Sequence, residues 1–383
     1  MSPLSYSVLY NFRSGPDGSV PEALVDVKGT LYGTTSRGGM YAHYGLYPGG
    51  GTVFSITRNG TDKVLHSFGN GTDGNVPAAP LLDVNGTLYG TTNTGGAYAC
   101  DGGYCGTVFS ITPGGVEKVL YSFGRSGADG AFPFAGLINV KGTLYGTTED
   151  GGTHGLGTVF SITPDGTENM LYSFSGGSDG NSPFAPLTEV NGTLYGTTEG
   201  GGSFGTGTVF SITTGGLEKV LHSFGKGTDG AYPYAGITDV HGTLYGTTWG
   251  GGSHSSCGDR YGGCGTVFSV TPRGTEALLH RFAGGSDGAY PQAALTEVNG
   301  RLYGTTAAGG GASGCAHGCG TIFSISTSGA ETVLHSFSKF SDGRVPLAAL
   351  LHVNGTLYGT TVRGGMRSGN CARGCGTVFS FVP

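Results

Sequence analysis

The chain has 383 residues, a formal net charge of −6 at pH 7 and only 11% charged residues, while Gly alone fills 80 positions. This balance gives no overall basic field, which excludes nucleic acid as an expected partner, and no apolar run approaches the roughly 20 residues that span a bilayer. Because 37% of the residues are hydrophobic and Tyr and Phe contribute 20 each, the Gly-rich chain still has enough bulky material for a core.

One short segment, GTLYGTT, recurs along the whole chain, and its copies begin at Gly29, Gly86, Gly142, Gly192, Gly242, Gly300 (as GRLYGTT) and Gly355. Each copy follows a Pro-x-Ala stretch and precedes a variable loop, GTVFSIT, a short turn, and VLHSF with Asp-Gly after it. Runs rich in Thr, Val, Ile, Tyr and Phe, fenced by Gly, Pro and Asn-Gly, predict four strands per copy. Seven copies spaced 50 to 58 residues apart predict an all-β seven-bladed β-propeller with four antiparallel strands per blade.

The two ends of the chain complement each other. The last copy stops after GTVFSFVP and lacks a fourth strand, whereas YSVLYNF at residues 6–12 is a fourth strand with no copy before it. We therefore predict that the N-terminal strand completes the last blade and closes the ring. Residues 1–383 then form one domain, and we number its blades 1 to 7 from the copies in chain order.

The eight cysteines fall into four close pairs, Cys100 and Cys105, Cys257 and Cys264, Cys315 and Cys319, and Cys371 and Cys375. A structural zinc site needs four ligands close together, whereas each loop offers two cysteines. We therefore expect four local disulfides, which suit an oxidising compartment, and a secreted protein. The opening residues MSPLSYSVLYNF contain no basic segment followed by an apolar one, so we expect no signal peptide within this sequence.

The tandem pattern GTLYGTT…GG…GTVFSIT…VLHSF…DG resembles the GloVer (Gloeobacter and Verrucomicrobia) tandem repeat over practically the whole chain. The resemblance implies a secreted or surface-anchored, propeller-like protein. It implies no particular activity and no catalytic residues.

Residues that break the repeat are the candidates for function, because scaffold residues recur in every blade. Blade 1 supplies Arg37 and blade 7 supplies Arg363, Arg367 and Arg373, and ring closure makes these two blades neighbours. Across the ring, blades 3 to 5 place acidic and aromatic side chains on the same face, namely Glu149, Glu199, Trp249, Phe134, Phe184 and Tyr234. The cysteine-bounded loop of blade 5 adds His254, Arg260 and Tyr261.

This combination predicts a binding site for an acidic glycan. Arg holds a carboxylate or sulfate through two parallel hydrogen bonds, and aromatic rings suit the apolar faces of sugars. As a polysaccharide lyase, the protein would neutralise a uronate carboxylate with the arginines and use His43, Tyr41 or Tyr44 as general base or acid. A glycoside hydrolase that uses Glu149 and Glu199 is the alternative enzyme.

Two non-catalytic alternatives remain open, a lectin with one site per blade and a structural or adhesive propeller. No sugar-binding side chain recurs in every variable loop, which disfavours the repetitive lectin. One Asp-Gly carboxylate per blade is too few for calcium, and the His of VLHSF alternates with Tyr, so we expect no metal and no cofactor. A closed ring needs no partner, so we expect a monomer.

Overall fold

The computed structural model describes residues 4–41, 49–100, 103–225, 228–253, 257, 262–311, 315, 317–367 and 371–383. They form seven four-stranded antiparallel sheets arranged as the blades of a ring. The first strand of each blade lies beside the first strands of both neighbours all the way around. The first strands therefore surround a central channel, and they are Ser19–Val27, Leu82–Val84, Ile138–Val140, Thr188–Val190, Thr238–Val240, Thr296–Val298 and Leu351–Val353.

The other three strands follow outward in chain order in blades 1 to 6, whereas blade 7 takes its outermost strand from the N-terminus. The second strands are Thr30–Arg37, Thr87–Thr92, Thr143–Thr148, Thr193–Thr198, Thr243–Thr248, Arg301–Thr306 and Thr356–Thr361. The third strands are Thr52–Thr57, Thr107–Ile111, Thr158–Ile162, Thr208–Thr213, Thr266–Val270, Thr321–Ser326 and Thr377–Val382. The fourth and outermost strands are Asp62–Ser67, Glu117–Ser122, Glu168–Ser173, Glu218–Ser223, Glu276–Arg281, Glu331–Ser336 and, for blade 7, Ser5–Asn11.

Two-stranded ribbons and 3-10 turns lie at the ends of the blades. The two-stranded ribbons are Ala99–Cys100 with Gly103–Tyr104, Gly130–Ala131 with Asp150–Gly151, Gly180–Asn181 with Gly200–Gly201, and Gly230–Ala231 with Gly250–Gly251. Two 3-10 turns cover Gly15–Asp17 and Phe340–Asp342. In the part of the chain that the structure describes, no helix has the length and apolar character needed to cross a bilayer.

The predicted closure of the ring is confirmed. The N-terminal strand pairs antiparallel with the third strand of blade 7, from Ser5 opposite Val382 to Asn11 opposite Thr377. The hydroxyl of Tyr6 in this strand also donates a hydrogen bond to the backbone carbonyl of Asp342. Blade 7 is therefore built from both ends of the chain, and the ring has no open edge at that blade.

The core is divided into seven clusters, one at each interface between neighbouring blades. A Phe at the end of each fourth strand packs edge to face against the third-strand Phe of the next blade, with ring centroids 4.9 to 5.6 Å apart. The pairs are Phe12 with Phe54, Phe68 with Phe109, Phe123 with Phe160, Phe174 with Phe210, Phe224 with Phe268, Phe282 with Phe323, and Phe337 with Phe379. The same contact thus closes all seven interfaces.

The first half of GTLYGTT makes a hairpin and a packing surface, as blade 2 illustrates. Asn85 and Gly86 both have positive φ angles, 54° and 85°, which is the type I′ turn that two-residue hairpins favour. Leu88 is fully buried in the cluster between blades 1 and 2. Gly90 leaves room for Phe109, because a Cβ atom there would lie 2.6 Å from the Cζ atom of that ring. This explains why Gly interrupts the apolar run.

The two threonines that end the segment link strands and blades. In blade 2, Thr91 donates its hydroxyl to the backbone carbonyl of Ala135 in blade 3, at 3.0 Å. The hydroxyl of Thr92 lies 2.8 Å from that of Thr107 on the neighbouring strand. These buried hydroxyls are satisfied inside the ring, so both threonines belong to the scaffold.

The Asp-Gly aspartates cap turns and strands, as Asp179 illustrates. Asp179 accepts hydrogen bonds from the backbone N–H groups of Ser175 and Gly180, both at 2.8 Å. It also accepts the hydroxyl of Tyr172 on the fourth strand, at 3.0 Å. In blades with His at this position, the imidazole takes the place of the phenol, as His222 does beside Asp229.

All four predicted disulfides are present, and each joins cysteines within one loop. The Cα atoms of the paired cysteines lie 5.2 to 5.4 Å apart, which suits a disulfide. Among the described residues no cysteine is free. Each disulfide fixes the base of a loop between the second and third strands of blades 2, 5, 6 and 7.

Candidate functional site

The central channel opens into a cavity of about 470 Å³. All seven blades contribute to its lining, which is largely Ala, Pro and Gly. The side chains that stand out from this small-residue wall are Glu22, Phe134, Phe184, Tyr234, Trp249, Gln292 and Leu347. Except for Trp249, each of these residues directly follows the Pro that leads into a first strand. We call this end of the channel the mouth.

Five aromatic rings form a continuous arc at the mouth, from blade 3 to blade 6. Phe134 contacts Phe184 and Phe184 contacts Tyr234, with 5.5 Å between the centroids in both pairs. Tyr234 then contacts Trp249 at 5.7 Å, and Trp249 contacts Tyr290 at 5.4 Å. Edge-to-face and tilted contacts of this kind hold the rings in place, and all of them except Tyr290 line the cavity.

Backbone hydrogen bonds place the residue after GTT beside this arc. The N–H of Glu149 donates to the carbonyl of Phe132 at 3.1 Å, and the N–H of Trp249 donates to Tyr232 at 3.0 Å. Glu199 makes the same bond to Ser182 at 3.0 Å. The sequence therefore sets the chemistry of the mouth at two positions per blade, the residue after Pro and the residue after GTT.

Two carboxyl groups accompany the arc. Burial, the carboxylate of Asp150 and that of Glu199 together raise the pKa of Glu149 to about 7. Glu199 accepts a hydrogen bond from the hydroxyl of Tyr234. At neutral pH this part of the mouth therefore combines a carboxyl group that can donate a proton with a second carboxyl held by a phenol.

A third carboxyl group, Glu22, lies in the blade 1 part of the mouth. Burial raises its pKa to about 8, although a hydrogen bond with Ser36 and the charge of Arg37 lower it in part. A side cavity of about 200 Å³ brings Glu22, Ser36 and Arg37 together with Phe134. The sequence reasoning missed Glu22; the available signal was that no other blade places an acid directly after this Pro.

Two of the four predicted arginines, Arg37 and Arg373, act electrostatically on a third, Arg363. The pKa of Arg363 is lowered first by burial and then by the positive charges of Arg373 and Arg37. Arg367 lies elsewhere, because its guanidinium carbon is 3.7 Å from the centroid of the Phe340 ring. Arg344 approaches the same ring at 3.8 Å. Two guanidinium groups cannot occupy one face at such distances, so they sandwich Phe340 from opposite sides.

The remaining candidates are away from the mouth or beyond the described residues. Tyr41 lines a separate cleft of about 660 Å³ with Met40, between the fourth strands of blades 7 and 1. This cleft lies at the outer edge of the ring, whereas the mouth is on the axis. His43, Tyr44, His254, Arg260 and Tyr261 lie outside the described residues.

The closed ring of seven four-stranded blades defines the protein as a β-propeller with an aromatic channel mouth. The family model of the Gloeobacter/Verrucomicrobia repeat matches residues 43–261 and 192–383. The chain belongs to this repeat family. No curated protein sequence is significantly similar to it.

Solved structures of similar fold share little sequence with the chain. PorZ, a surface component of the type-IX secretion system of Porphyromonas gingivalis, is 13% identical, with a TM-score of 0.53 over 97% of this chain and 47% of PorZ. The aldose sugar dehydrogenase of Streptomyces coelicolor is 12% identical, with a TM-score of 0.47 over 100% of this chain and 99% of that one. A gluconolactonase of Xanthomonas campestris is 13% identical, with a TM-score of 0.42 over 72% of this chain and 78% of that one. At these identities the likeness concerns the fold alone.

Proposed function

We propose that the protein binds a carbohydrate, specifically an anionic glycan, at the mouth of the channel. The arc of Phe134, Phe184, Tyr234, Trp249 and Tyr290 is the observation that carries the proposal. A run of exposed ring edges and faces beside hydrogen-bonding carboxyls matches a sugar, which has apolar C–H faces and a rim of hydroxyl groups. A purely apolar ligand would make no use of the carboxyl groups of Glu149 and Glu199.

The arginines account for the negative charge of the proposed ligand. Arg37 and Arg373 both repel Arg363, so an anion bound beside Arg363 would relieve that repulsion as well as pair with the guanidinium groups. A glycan that bears uronate or sulfate groups would lie with its sugar rings on the arc and its charges toward blades 7 and 1. The four disulfides support a secreted protein, where such polymers occur.

Trp249 gives a direct test, because it is the only Trp in the chain and lies in the arc. Titration with uronate oligosaccharides and with neutral oligosaccharides of equal length should change its fluorescence, with the tighter binding for the uronates. Phe184→Ala should weaken binding about tenfold, a loss of about 1.4 kcal/mol. Phe204→Ala removes an exposed ring on a loop of the same blade and should leave the affinity unchanged. Equal losses in both variants, or binding without any response of Trp249, would exclude the mouth as the site.

Glycoside hydrolysis at the mouth is the second candidate function, and Glu149 favours it. A carboxyl group with a pKa of about 7 suits a general acid, and Glu199 supplies the second carboxyl that glycosidases require. Incubation with neutral glycans should then release reducing ends, and Glu149→Gln should abolish the release while keeping glycan binding. Asp165→Asn removes an exposed carboxyl in the turn between the third and fourth strands of the same blade and serves as the matched control. Release that survives in Glu149→Gln would refute the assignment.

Polysaccharide lyase activity is a third proposal, and it concerns the side of the mouth toward blades 7 and 1, where Arg37, Arg363 and Arg373 lie. The three arginines would neutralise a uronate carboxylate, and the ionised form of Glu22, whose share rises as the pH approaches its pKa of about 8, would accept the proton. A screen of uronate polymers for new unsaturated products tests it. If wild type forms such products and Glu22→Gln does not, while both bind the polymer equally, the lyase proposal is supported. Products formed equally by both would assign the proton transfer to another group.

A further inference from the structure

A three-residue cluster recurs at the outer edge of the ring, far from the mouth. It contains a fourth-strand His or Tyr and an Asp-Gly aspartate from one blade, and the acidic residue that begins the fourth strand of the next blade. Tyr172, Asp179 and Glu218 are one example, at the interface of blades 3 and 4. We call these groups the outer triads. Each triad spans two blades: its His or Tyr precedes the aspartate by 7 residues, whereas the acidic residue of the next blade follows these two by 39 to 54 residues in the triads of Tyr172, His222 and His280.

Two outer triads have the composition and spacing of a metal site. In His222, Asp229 and Glu276, and again in His280, Asp287 and Glu331, the three ligand atoms all lie within 4.8 Å of one another. The Nε2 atom of His222 is 2.9 Å from Oδ2 of Asp229. Three ligands at the zinc bond lengths of about 2.0 to 2.2 Å lie about 3 to 4 Å apart, so modest side-chain adjustment brings each set onto one ion.

The glutamates of both triads have an oxygen atom that the protein does not satisfy. Oε1 of Glu276 and Oε1 of Glu331 are buried atoms without a hydrogen-bond partner. A buried carboxylate oxygen without a donor is unfavourable, and a cation coordinated by it removes that cost. Each of the two triads therefore includes a buried carboxylate oxygen that an ion would satisfy, a feature that Glu117 and Glu218 share at other interfaces.

Surrounding groups already orient the other two ligands. The ring of His222 packs edge to face on Phe224, with 4.7 Å between centroids, and His280 packs likewise on Phe282 at 4.9 Å. Oδ1 of Asp229 accepts the N–H of Gly230 at 2.7 Å. Such supporting contacts fix ring and carboxylate directions around protein-bound metals.

We propose that these two triads each bind one divalent transition-metal ion of the Zn²⁺ class, which bridges blades 4 and 5 and blades 5 and 6. Imidazole nitrogen together with two carboxylates suits Zn²⁺ and its neighbours rather than Mg²⁺ or Ca²⁺, which take oxygen ligands. Three protein ligands leave a coordination position for water. The ions tie adjacent blades together at the outer edge and neutralise paired carboxylates there.

The other interfaces show why the alternation of His with Tyr does not exclude these sites. In the triad of Tyr172 the phenol donates a hydrogen bond to Asp179 and offers no imidazole nitrogen. At the last interface Tyr6 replaces the acidic residue and stacks on His335, with centroids 4.1 Å apart. The ligand set depends on two successive blades, so each interface must be judged separately. Within the described residues, only the two triads named above bring three such ligand atoms together.

The repeat itself supplies conservative variants for the test. His222→Tyr and His280→Tyr introduce the residue that Tyr172 already provides at the equivalent position, so the fold should tolerate them. Tag-free protein is stripped with a chelator, dialysed, and titrated with Zn²⁺ by calorimetry, with Mg²⁺ titrated separately. Wild type should bind two equivalents of Zn²⁺, each single variant one and the double variant none. Mg²⁺ should bind at least tenfold more weakly than Zn²⁺.

A gain-of-site variant completes the experiment. Tyr172→His, with Asp179 and Glu218 left in place, should add a third equivalent of Zn²⁺. Binding of Zn²⁺ should also raise the unfolding temperature of wild type and not that of the double variant. Two equivalents retained by a folded double variant, or no zinc bound by wild type, would overturn the proposal. Because the triads are remote from the mouth, glycan binding should be the same in all these variants, which separates this test from that of the proposed function.

Discussion

The rings of Phe12 and Phe54 meet edge to face, with 5.1 Å between their centroids. Phe12 directly follows the fourth strand of blade 7, whereas Phe54 belongs to the third strand of blade 1, so this contact joins the last blade to the first. Both side chains are fully buried. The interface that closes the ring is therefore built like the six interfaces between blades that are consecutive in the chain.

Phe12→Ala should destabilise the protein by about 3 to 5 kcal/mol, because it leaves a cavity where a whole ring was buried. Phe174→Ala makes the same change at the interface of blades 3 and 4, where Phe174 packs on Phe210. Urea unfolding should give similar losses of unfolding free energy for the two variants. A loss for Phe12→Ala well below that for Phe174→Ala would show that the closing interface contributes little in solution.

Gly196→Ala should destabilise the protein by about 1 to 3 kcal/mol through overpacking. Its Cβ atom would lie 2.6 Å from Cζ of Phe210, inside a blade interface that has no spare volume. Gly127→Ala is the control, since a Cβ atom there meets nothing within 4 Å. Thermal unfolding gives the melting temperatures of both variants, and only that of Gly196→Ala should fall below the wild-type value. An unchanged melting temperature for Gly196→Ala would mean that the second glycine of GTLYGTT is not needed for packing.

Arg37→Ala and Arg363→Ala should each weaken the binding of a uronate oligosaccharide about tenfold and reduce the dependence of its affinity on salt, because each removes a charge that pairs with the ligand. Arg367→Ala should leave affinity unchanged, since that guanidinium stacks on Phe340. Calorimetric titration at two salt concentrations measures both quantities. Equal weakening by all three variants would point to a diffuse positive field rather than a site.

Stability should fall as the pH rises from 5 to 8, and Glu168 should contribute to this fall. Burial, followed by the charge of Asp129, raises the pKa of Glu168 from 4.5 to about 7, whereas Tyr121 and Arg125 lower it in part. The folded state therefore holds a proton that the unfolded state has lost, so its advantage is present below the unfolded pKa and disappears as the pH passes the folded one. Glu168→Gln should be less sensitive to pH over this range.

The expected size of that effect is on the order of 1 kcal/mol, after allowance for solvent screening of a half-buried group. Urea unfolding of wild type and Glu168→Gln at pH 5 and pH 8 measures it. A difference between the two proteins that is the same at both pH values would contradict the assignment.

Reduction of the disulfides should loosen loops without opening the ring. The paired cysteines are separated by only four to seven residues, and the chain-entropy model gives about 2 kcal/mol for closing so short a loop. Reduced and alkylated protein should keep its β-sheet circular dichroism while the variable loops become sensitive to protease. Complete loss of sheet signal on reduction would show that the disulfides hold the blades together.

The architecture was predictable because each blade repeats the same interactions. The Asn85-Gly86 turn, the buried Leu88 and the Phe pairs are all encoded in local patterns that recur seven times, which makes the number of strands and blades readable. The closure by residues 6–12 followed from a missing strand at one end and a surplus strand at the other. Four close cysteine pairs likewise left few choices for pairing.

The site was less predictable, because it depends on which blades meet around the axis. Phe134, Phe184, Tyr234 and Trp249 were recognised as exceptions to the repeat, but their mutual contacts arise from the ring geometry. Glu22 was overlooked because blade 1 has one residue fewer between its Pro and the following Leu than the other blades. Arg367 shares a loop with Arg363, yet the ring of Phe340 from another segment determines where its guanidinium lies.

The antiparallel pairing of Ser5 with Val382 has a consequence for the order in which the blades are encoded. A circular permutant that begins in the turn between blades 3 and 4, with a short linker joining residues 382 and 5, would use the same contacts to make the same ring. The ring therefore depends on the seven contacts between neighbouring blades and not on which blade comes first in the polypeptide.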